Sequence, residues 1–156
     1  MTPAINEAKK QKIQYKVHKY AHNPSHSSYG LEAVECLNLD AETVFKTLVV
    51  QLDSGALTVA IVPVSKQLNM KQLAKAAGGK KAAMADAAFV EKSTGYVLGG
   101  VSPLGQKKRL PTIIDSSASG HKTIFVSAGR RGLEIELSPD DLSRLTSGTF
   151  AQIAAS

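Results

Sequence analysis

Apolar and polar positions along the chain fall into short runs with helical or strand spacing, and these predict most of its elements. Thr2 followed by Pro3 reads as an N-cap with proline at the first helical position. Ile5 and Ala8, with lysines opposite, extend an amphipathic helix to about Lys12. Tyr15 to Tyr20 alternates as a strand, and His22 to Gly30 reads as loop from its Asn, Pro, Ser and Gly content. The spacing of Leu31, Val34 and Leu37 predicts a second helix with Cys36 near its end. Thr43–Leu52 and Leu57–Val64 are β-branched runs separated by Asp53-Ser54-Gly55, which predicts a hairpin at the centre of the sheet.

Asn69 with Gln72 forms a capping-box pattern for a helix through Ala77, stopped by Gly78-Gly79. Ala82–Lys92 is alanine-rich and predicts a further helix. Thr112–Asp115, Thr123–Ser127 and Leu133–Leu137 read as strands, and Ser138 with Pro139 opens a last helix. Helices and strands mix without strict alternation. The expected fold is therefore a single α/β (α+β) domain over residues 1–156. Its mixed, largely antiparallel sheet should curl towards a barrel, with helices packed outside.

Composition narrows the partners. Apolar residues make up 43% and charged residues 21%, enough apolar material for a packed core. No stretch approaches the roughly 20 apolar residues that span a bilayer, and MTPAINEAKKQK lacks the apolar run of a secretory signal, so a cytoplasmic protein without membrane contact is expected. A lone Cys36 can neither close an internal disulfide nor build a thiolate metal site. With 4 Tyr, 4 Phe and no Trp, a base-stacking platform has little support, so any nucleic acid should be met at its phosphates. The net charge of +6 is concentrated: residues 66–131 carry twelve Lys or Arg against Asp86, Glu91 and Asp115. Such a field suits a polyanion such as RNA, and it equally suits solvated lysine pairs.

Three segments can carry chemistry. Lys46 lies in Val44-Phe45-Lys46-Thr47-Leu48-Val49-Val50, where an ammonium faces desolvation on either side of the strand. It reads as a cation held in a cleft for an anion or a developing oxyanion, or as an edge residue that snorkels to water. Gly95–Gly105, GYVLGGVSPLG, allows main-chain N–H groups to converge on an oxygen, or simply forms turns. Ser127-Ala128-Gly129-Arg130-Arg131-Gly132 ends a strand in a basic turn that could hold a phosphate or stand in solvent. No phosphate-loop or dinucleotide fingerprint is present. His18, His22 and His26 have i, i+4 steps, but Asn23-Pro24 and the serines argue for loop and against a metal site.

The opening MTPAI, Phe45-Lys46-Thr47-Leu48, KSTGYVLGGVSPLGQKKRLP from Lys92 to Pro111, and SAGRRGLEIELSPDDL from Ser127 to Leu142 resemble the YbaK/EbsC family. These are bacterial Cys-tRNA(Pro) deacylases related to the editing domain of prolyl-tRNA synthetase. The resemblance runs nearly end to end and implies a single-domain, trans-acting editing enzyme that needs no metal or other cofactor. It implies that Lys46 is the functional lysine, with Gly99, Gly100 and Ser102 forming an oxyanion loop. It also implies that Tyr20, Tyr29, Thr47, Pro103 and Ser127 line the amino-acid pocket. Tyr29 replaces a phenylalanine found in some relatives. The implied mechanism uses the cysteine substrate's own thiol against its ester, so no protein nucleophile is required. Lys107, Lys108, Arg109, Arg130 and Arg131 would then meet tRNA phosphates at the acceptor end, and prolyl-tRNA synthetase would supply tRNA identity. A non-catalytic module that grips aminoacyl-tRNA or the synthetase, and a structural domain with a merely solubilising basic face, are the alternatives.

Overall fold

The computed structural model of the chain describes residues 1–25 and 29–155, and for Tyr29 the main chain alone. His26 and the Tyr29 side chain lie outside the described residues. The elements in chain order are α1 (Pro3–Lys10), β1 (Lys16–Lys19), α2 (Tyr29–Leu37), β2 (Phe45–Leu52), β3 (Leu57–Pro63), β4 (Gln67–Leu68), α3 (Met70–Ala76) and β5 (Ala82–Met84). They continue with α4 (Ala87–Thr94), β6 (Thr112–Asp115), a 3-10 turn at Ser116–Gly120, β7 (Ile124–Arg130), β8 (Leu133–Leu137), α5 (Pro139–Thr146), β9 (Thr149–Ala151) and β10 (Ala154–Ala155).

The larger sheet has five strands in the order β5-β2-β3-β6-β9, antiparallel from β5 to β3 and parallel from β3 to β9. A second, antiparallel sheet has the order β1-β8-β7, and β4 pairs with β10. The two main sheets meet where Val44 bridges Phe125 in parallel. The curl stops at that junction, and the described strands do not close a barrel.

The hairpin of β2 and β3 lies inside the larger sheet, as its two apolar runs predict. Every residue of β3 is buried: Val59 and Ile61 join one core cluster, while Ala60 and Val62 join another with Leu73 of α3 and Ile153. Burial on both faces is why this strand reads as a continuous apolar run and not as an alternation.

Caps fix the helices to the sheets. The Thr2 hydroxyl accepts from Ile5 N–H and donates to the Ala128 carbonyl, so the cap of α1 also ties that helix to β7. Ser138 caps α5 by accepting from Asp141 N–H at 3.1 Å. Asn69 caps α3, accepting from Gln72 N–H at 3.0 Å. The reciprocal half of that capping box is not made, because Asn69 N–H already donates to the Ile153 carbonyl at 2.7 Å and Gln72 Oε1 is left buried without a partner.

The helix expected over Ala82–Lys92 divides. Ala82, Ala83 and Met84 pair with Leu52, Gln51 and Val50 as an edge strand, and the helix begins only at Ala87. The carboxylate of Asp53 accepts from Lys80 and Lys81 N–H, and Asp53 N–H donates to the Lys81 carbonyl at 3.0 Å. The chain is thereby delivered to the open edge of β2. Alanine's helix preference is a few tenths of a kcal/mol per residue over ordinary residues, less than the main-chain bonds that edge offers.

Candidate functional site

The site arises from a gap in strand pairing. Val64 N–H donates to the Val44 carbonyl at 2.8 Å, so the even-numbered residues of β2 bond to β3 and the odd-numbered ones turn to the other edge. On that edge β7 reaches only the start of β2, with Phe125 N–H on the Thr43 carbonyl at 2.9 Å. The chain next returns at Ala85 N–H on the Val49 carbonyl, 3.0 Å. Between these contacts opens a cleft of about 350 Å³ whose floor is the unbroken run Phe45, Lys46, Thr47, Leu48 and Val49. The Thr47 hydroxyl is buried there without a hydrogen-bond partner.

Lys46 lines this cleft half-buried, and burial pushes its ammonium below the ordinary lysine value. Its side chain makes no hydrogen bond or ion pair with the described residues. Its neighbours along the strand, Phe45 and Val49, are buried, and the strand's outer edge is unpaired at this point.

The glycine-rich loop forms the opposing wall through Leu98, Gly99 and Val101. Its base is pinned by Tyr96, which is buried and donates its hydroxyl to the Leu104 carbonyl at 2.6 Å. Within the loop, Gly100 N–H is already donated to the Val97 carbonyl at 2.9 Å. The N–H groups of Gly99 and Val101 have no partner among the described residues, and both residues line the cleft. Gly100 instead lets the loop lie on the main chain of Arg130, since a β-carbon there would come within 2.9 Å of Arg130 Cα.

The hairpin of β7 and β8 supplies Ser127, Arg130, Arg131 and Glu134. A register shift between Ser127 and Arg130 bends β7 where it meets the cleft, and Ser127 accepts from Gly129 N–H at 3.1 Å. Arg130 is exposed; Arg131 packs against His22 with 3.2 Å between Nη1 and Nε2. Tyr20 closes one side, its phenol pushed up to about 12 by burial and by the nearby Glu134 charge, and stays neutral. Gly30, on the first turn of α2, completes the lining, and a β-carbon there would run into Val64 Cγ1.

Of the residues named from sequence, Lys46, Thr47, Tyr20, Ser127, Gly99, Arg130 and Arg131 are brought together. Six others do not line it. Gly100 and Ser102 are buried behind the loop, with the Ser102 hydroxyl accepting from Leu104 N–H at 3.2 Å. Pro103 is buried beside a separate hollow that Glu7, Gln106 and Arg109 also line, and Arg109 donates to Ser147 Oγ at 2.7 Å. Lys107 and Lys108 are exposed, their main-chain N–H groups capping the carbonyls of Thr94 and Ser93 at the end of α4. His18 and His22 are engaged separately, with Glu136 at 2.9 Å and Glu32 at 2.6 Å. Among the described residues no group of three or more His, Cys, Asp or Glu is placed to hold a metal ion.

Glu134 is the polar residue that sequence reasoning passed over. In Leu133-Glu134-Ile135-Glu136-Leu137 it takes the polar position of an alternating strand, which normally means solvent. Helix α2, however, packs Ala33 and Val34 onto Phe125, Val44 and Tyr20 over that face. Glu134 is left 7% exposed, and burial pushes its carboxyl up to about 8.

Comparison with known proteins places this geometry in a family. Residues 24–145 match the model of the aminoacyl-tRNA editing domain. The chain is 39% identical over 152 residues, 97% of its own length and 92% of the relative's, to an Enterococcus faecalis protein named "Putative Cys-tRNA(Pro)/Cys-tRNA(Cys) deacylase EbsC". Its fold superposes on "a putative trans-editing enzyme for prolyl tRNA synthetase" with a TM-score of 0.82 and 20% identity, covering 100% of this chain and 99% of the other. It also superposes on a hypothetical protein, APE2540, with a TM-score of 0.87 and 24% identity over 98% and 99% of the two chains. With most of its length matched by the family model and its whole fold shared with these structures, the chain belongs to the aminoacyl-tRNA editing domain family.

Proposed function

We propose that the cleft receives the aminoacylated 3′ end of a tRNA and that the chain acts in trans as a deacylase, removing cysteine wrongly attached to tRNA(Pro). Family membership and the EbsC relative support the reaction class. The observation that carries the chemistry is the cleft's lining: Lys46, two free main-chain N–H groups, Ser127 and two arginines, with neither histidine nor cysteine among the described residues there. Such a lining binds, orients and stabilises negative charge, and its described residues supply no imidazole or thiol to attack an ester.

The substrate supplies the nucleophile. Its thiol sulfur attacks the ester carbonyl carbon, and the carbonyl oxygen becomes negative. The carbon–oxygen bond to the ribose then breaks as the thiol proton passes to the departing ribose oxygen. The products are free tRNA and a cyclic thiolactone that water opens later. Gly99 and Val101 N–H groups face the developing oxyanion, with Lys46 beside it or on the terminal phosphate. Tyr20, Thr47 and Ser127 enclose the amino-acid side chain, while Arg130 and Arg131 meet phosphates.

Selectivity follows from this division of labour. One methylene alters binding by only about 1 to 3 kcal/mol, so size alone would leak. Requiring an internal thiol spares alanyl and prolyl esters. The low aromatic content of the chain gives a base-reading platform little support, so tRNA identity comes from prolyl-tRNA synthetase, which holds its own mischarged product. The test is direct: incubation with Cys-, Ala- and Pro-charged tRNA(Pro), following ester loss. Rapid loss of the cysteinyl ester alone is expected. Tight binding of all three without turnover would instead make the chain a non-catalytic module.

A further inference from the structure

We infer that Glu134 is a substrate-binding residue that receives the α-ammonium group of the aminoacyl ester. The inference rests on the deacylase reading for its substrate, and the geometry for its site. Glu134 lines the cleft, is more than nine-tenths buried, and its carboxyl makes no hydrogen bond or ion pair with the described residues. It stands directly opposite Ser127 in the β7–β8 ladder and opposite His18 in the β1–β8 ladder, so its side chain shares a face with both. His18 is engaged elsewhere, on Glu136, and Ser127 accepts from Gly129 N–H.

Charge decides what this carboxyl can bind. The other charged groups around the cleft are cations: Lys46, Arg130 and Arg131. An aminoacylated 3′ end brings phosphates, hydroxyls, an ester and one positive group, the α-ammonium. Phosphate is repelled by a carboxylate; beside it the wall offers the neutral hydroxyls of Tyr20, Thr47 and Ser127 and the apolar Phe45, Val49, Val90 and Val101, so Glu134 is the one anionic acceptor among the described lining residues. A buried carboxyl without a partner is costly as an anion, which is why burial pushes its pKa up to about 8. An arriving ammonium removes that cost, and the proton leaves to solvent. The pairing fixes the amino acid by its backbone nitrogen and so sets which way its side-chain thiol and carbonyl point.

The experiment compares Cys-tRNA(Pro) with its N-acetyl derivative, each corrected for its uncatalysed hydrolysis, on the wild-type chain, Glu134→Gln and Glu134→Asp. Acetylation removes the positive charge and leaves the thiol. Wild type should lose about ten- to a hundredfold in kcat/KM on acetylation, the range expected for a hydrogen bond to a charged group. Glu134→Gln should lose a similar factor with the free amine and then no longer distinguish the two substrates, the signature of one shared interaction. Glu134→Asp should recover part of the discrimination. Glutamine is the neutral near-isostere of the protonated carboxyl, so the variant folds, and a thermal melt checks this. A second arm needs no turnover: the amide-linked analogue 3′-alanylamino-3′-deoxyadenosine and its N-acetyl form are titrated by calorimetry. Wild type should prefer the free amine and Glu134→Gln should not. Equal handling of the free and acetylated forms by wild type, or discrimination that survives in Glu134→Gln, overturns the assignment. Discrimination in the binding arm without any ester cleavage would uphold it and overturn the deacylase reading instead.

Discussion

The main chain of Gly100 lies against that of Arg130, so close that a β-carbon at position 100 would stand 2.9 Å from Arg130 Cα. This contact joins the glycine-rich loop to the basic hairpin, two segments thirty residues apart in sequence that together wall the cleft. Neither backbone can yield to a methyl group without a shift. Gly100→Ala is therefore expected to destabilise the fold by about 1 to 3 kcal/mol, the usual cost of overpacking, and to lower deacylation by displacing the loop. Gly120→Ala, where nothing lies within 4 Å of the added carbon, should stay within about 0.5 kcal/mol of wild type. Urea denaturation of the two variants side by side checks the difference.

Replacing Lys46 separates chemistry from folding. Lys46→Met keeps an apolar stem on the strand and removes the ammonium, so the melting temperature should hardly move. Single-turnover deacylation should fall about a hundredfold or more if the cation faces the oxyanion. Because burial lowers the pKa of this lysine, its charge is lost on the alkaline side sooner than that of an exposed lysine. Activity should thus decline before pH 10.5, the ordinary lysine value. In Lys46→Arg, any residual activity should persist to higher pH, which a pH–rate profile reads directly.

Glu134 and Asp115 should give opposite pH dependences of stability. The Glu134 pKa rises from 4.5 to about 8 on folding, so the folded state binds the extra proton between those values. Its contribution is fully present below about pH 4.5 and is lost as pH rises through about 8. Burial also acts upward on Asp115, but hydrogen bonds from Ser117, Ile153 and Ala154 outweigh it and hold that carboxyl below 3.8. Its contribution is present above 3.8 and lost as pH falls further. Denaturation midpoints across pH 3 to 9 should accordingly show Glu134→Gln gaining on wild type towards alkaline pH. Asp115→Asn should be less stable than wild type at neutral pH, with the gap closing in acid.

Binding of tRNA should report how the positive charge is shared. Each phosphate contact removed lowers the slope of log K against log salt by about 0.7 to 0.9. Arg130→Ala takes a cation from the mouth of the cleft and should reduce the slope by about one contact while weakening the aminoacylated end. Lys107→Ala with Lys108→Ala alters an exposed segment outside the cleft lining. It should reduce the slope without changing the rate at saturating tRNA. A slope near zero in wild type would mean the basic segment meets no phosphate at all.

Capping and periodicity carried much of the fold in plain view. Thr2-Pro3, Asn69 and Ser138-Pro139 mark helix starts because a side-chain oxygen beside the first free N–H groups is a local device, independent of the rest of the chain. The strand β3 was equally legible, since its short apolar run is rich in β-branched residues and follows the turn Asp53-Ser54-Gly55. Ala82–Met84 was not, because its strand pairing depends on an edge of β2 made by residues thirty positions earlier.

The candidate site divides along the same line. Lys46 stood out in the sequence because a cation inside an apolar strand is anomalous wherever the strand lies, and the glycines of the loop are visible as composition. Which loop amides remain free, and that Ser102 and Pro103 face inward, depends on hydrogen bonds the folded loop makes with itself. Glu134 was hidden most completely: alternation assigns it to solvent, and only the packing of α2 across the sheet removes the water. The linear chain thus set its local elements and their charges. Desolvation, which needs residues distant in sequence to meet, turned one lysine and one glutamate into the two poles of a cleft.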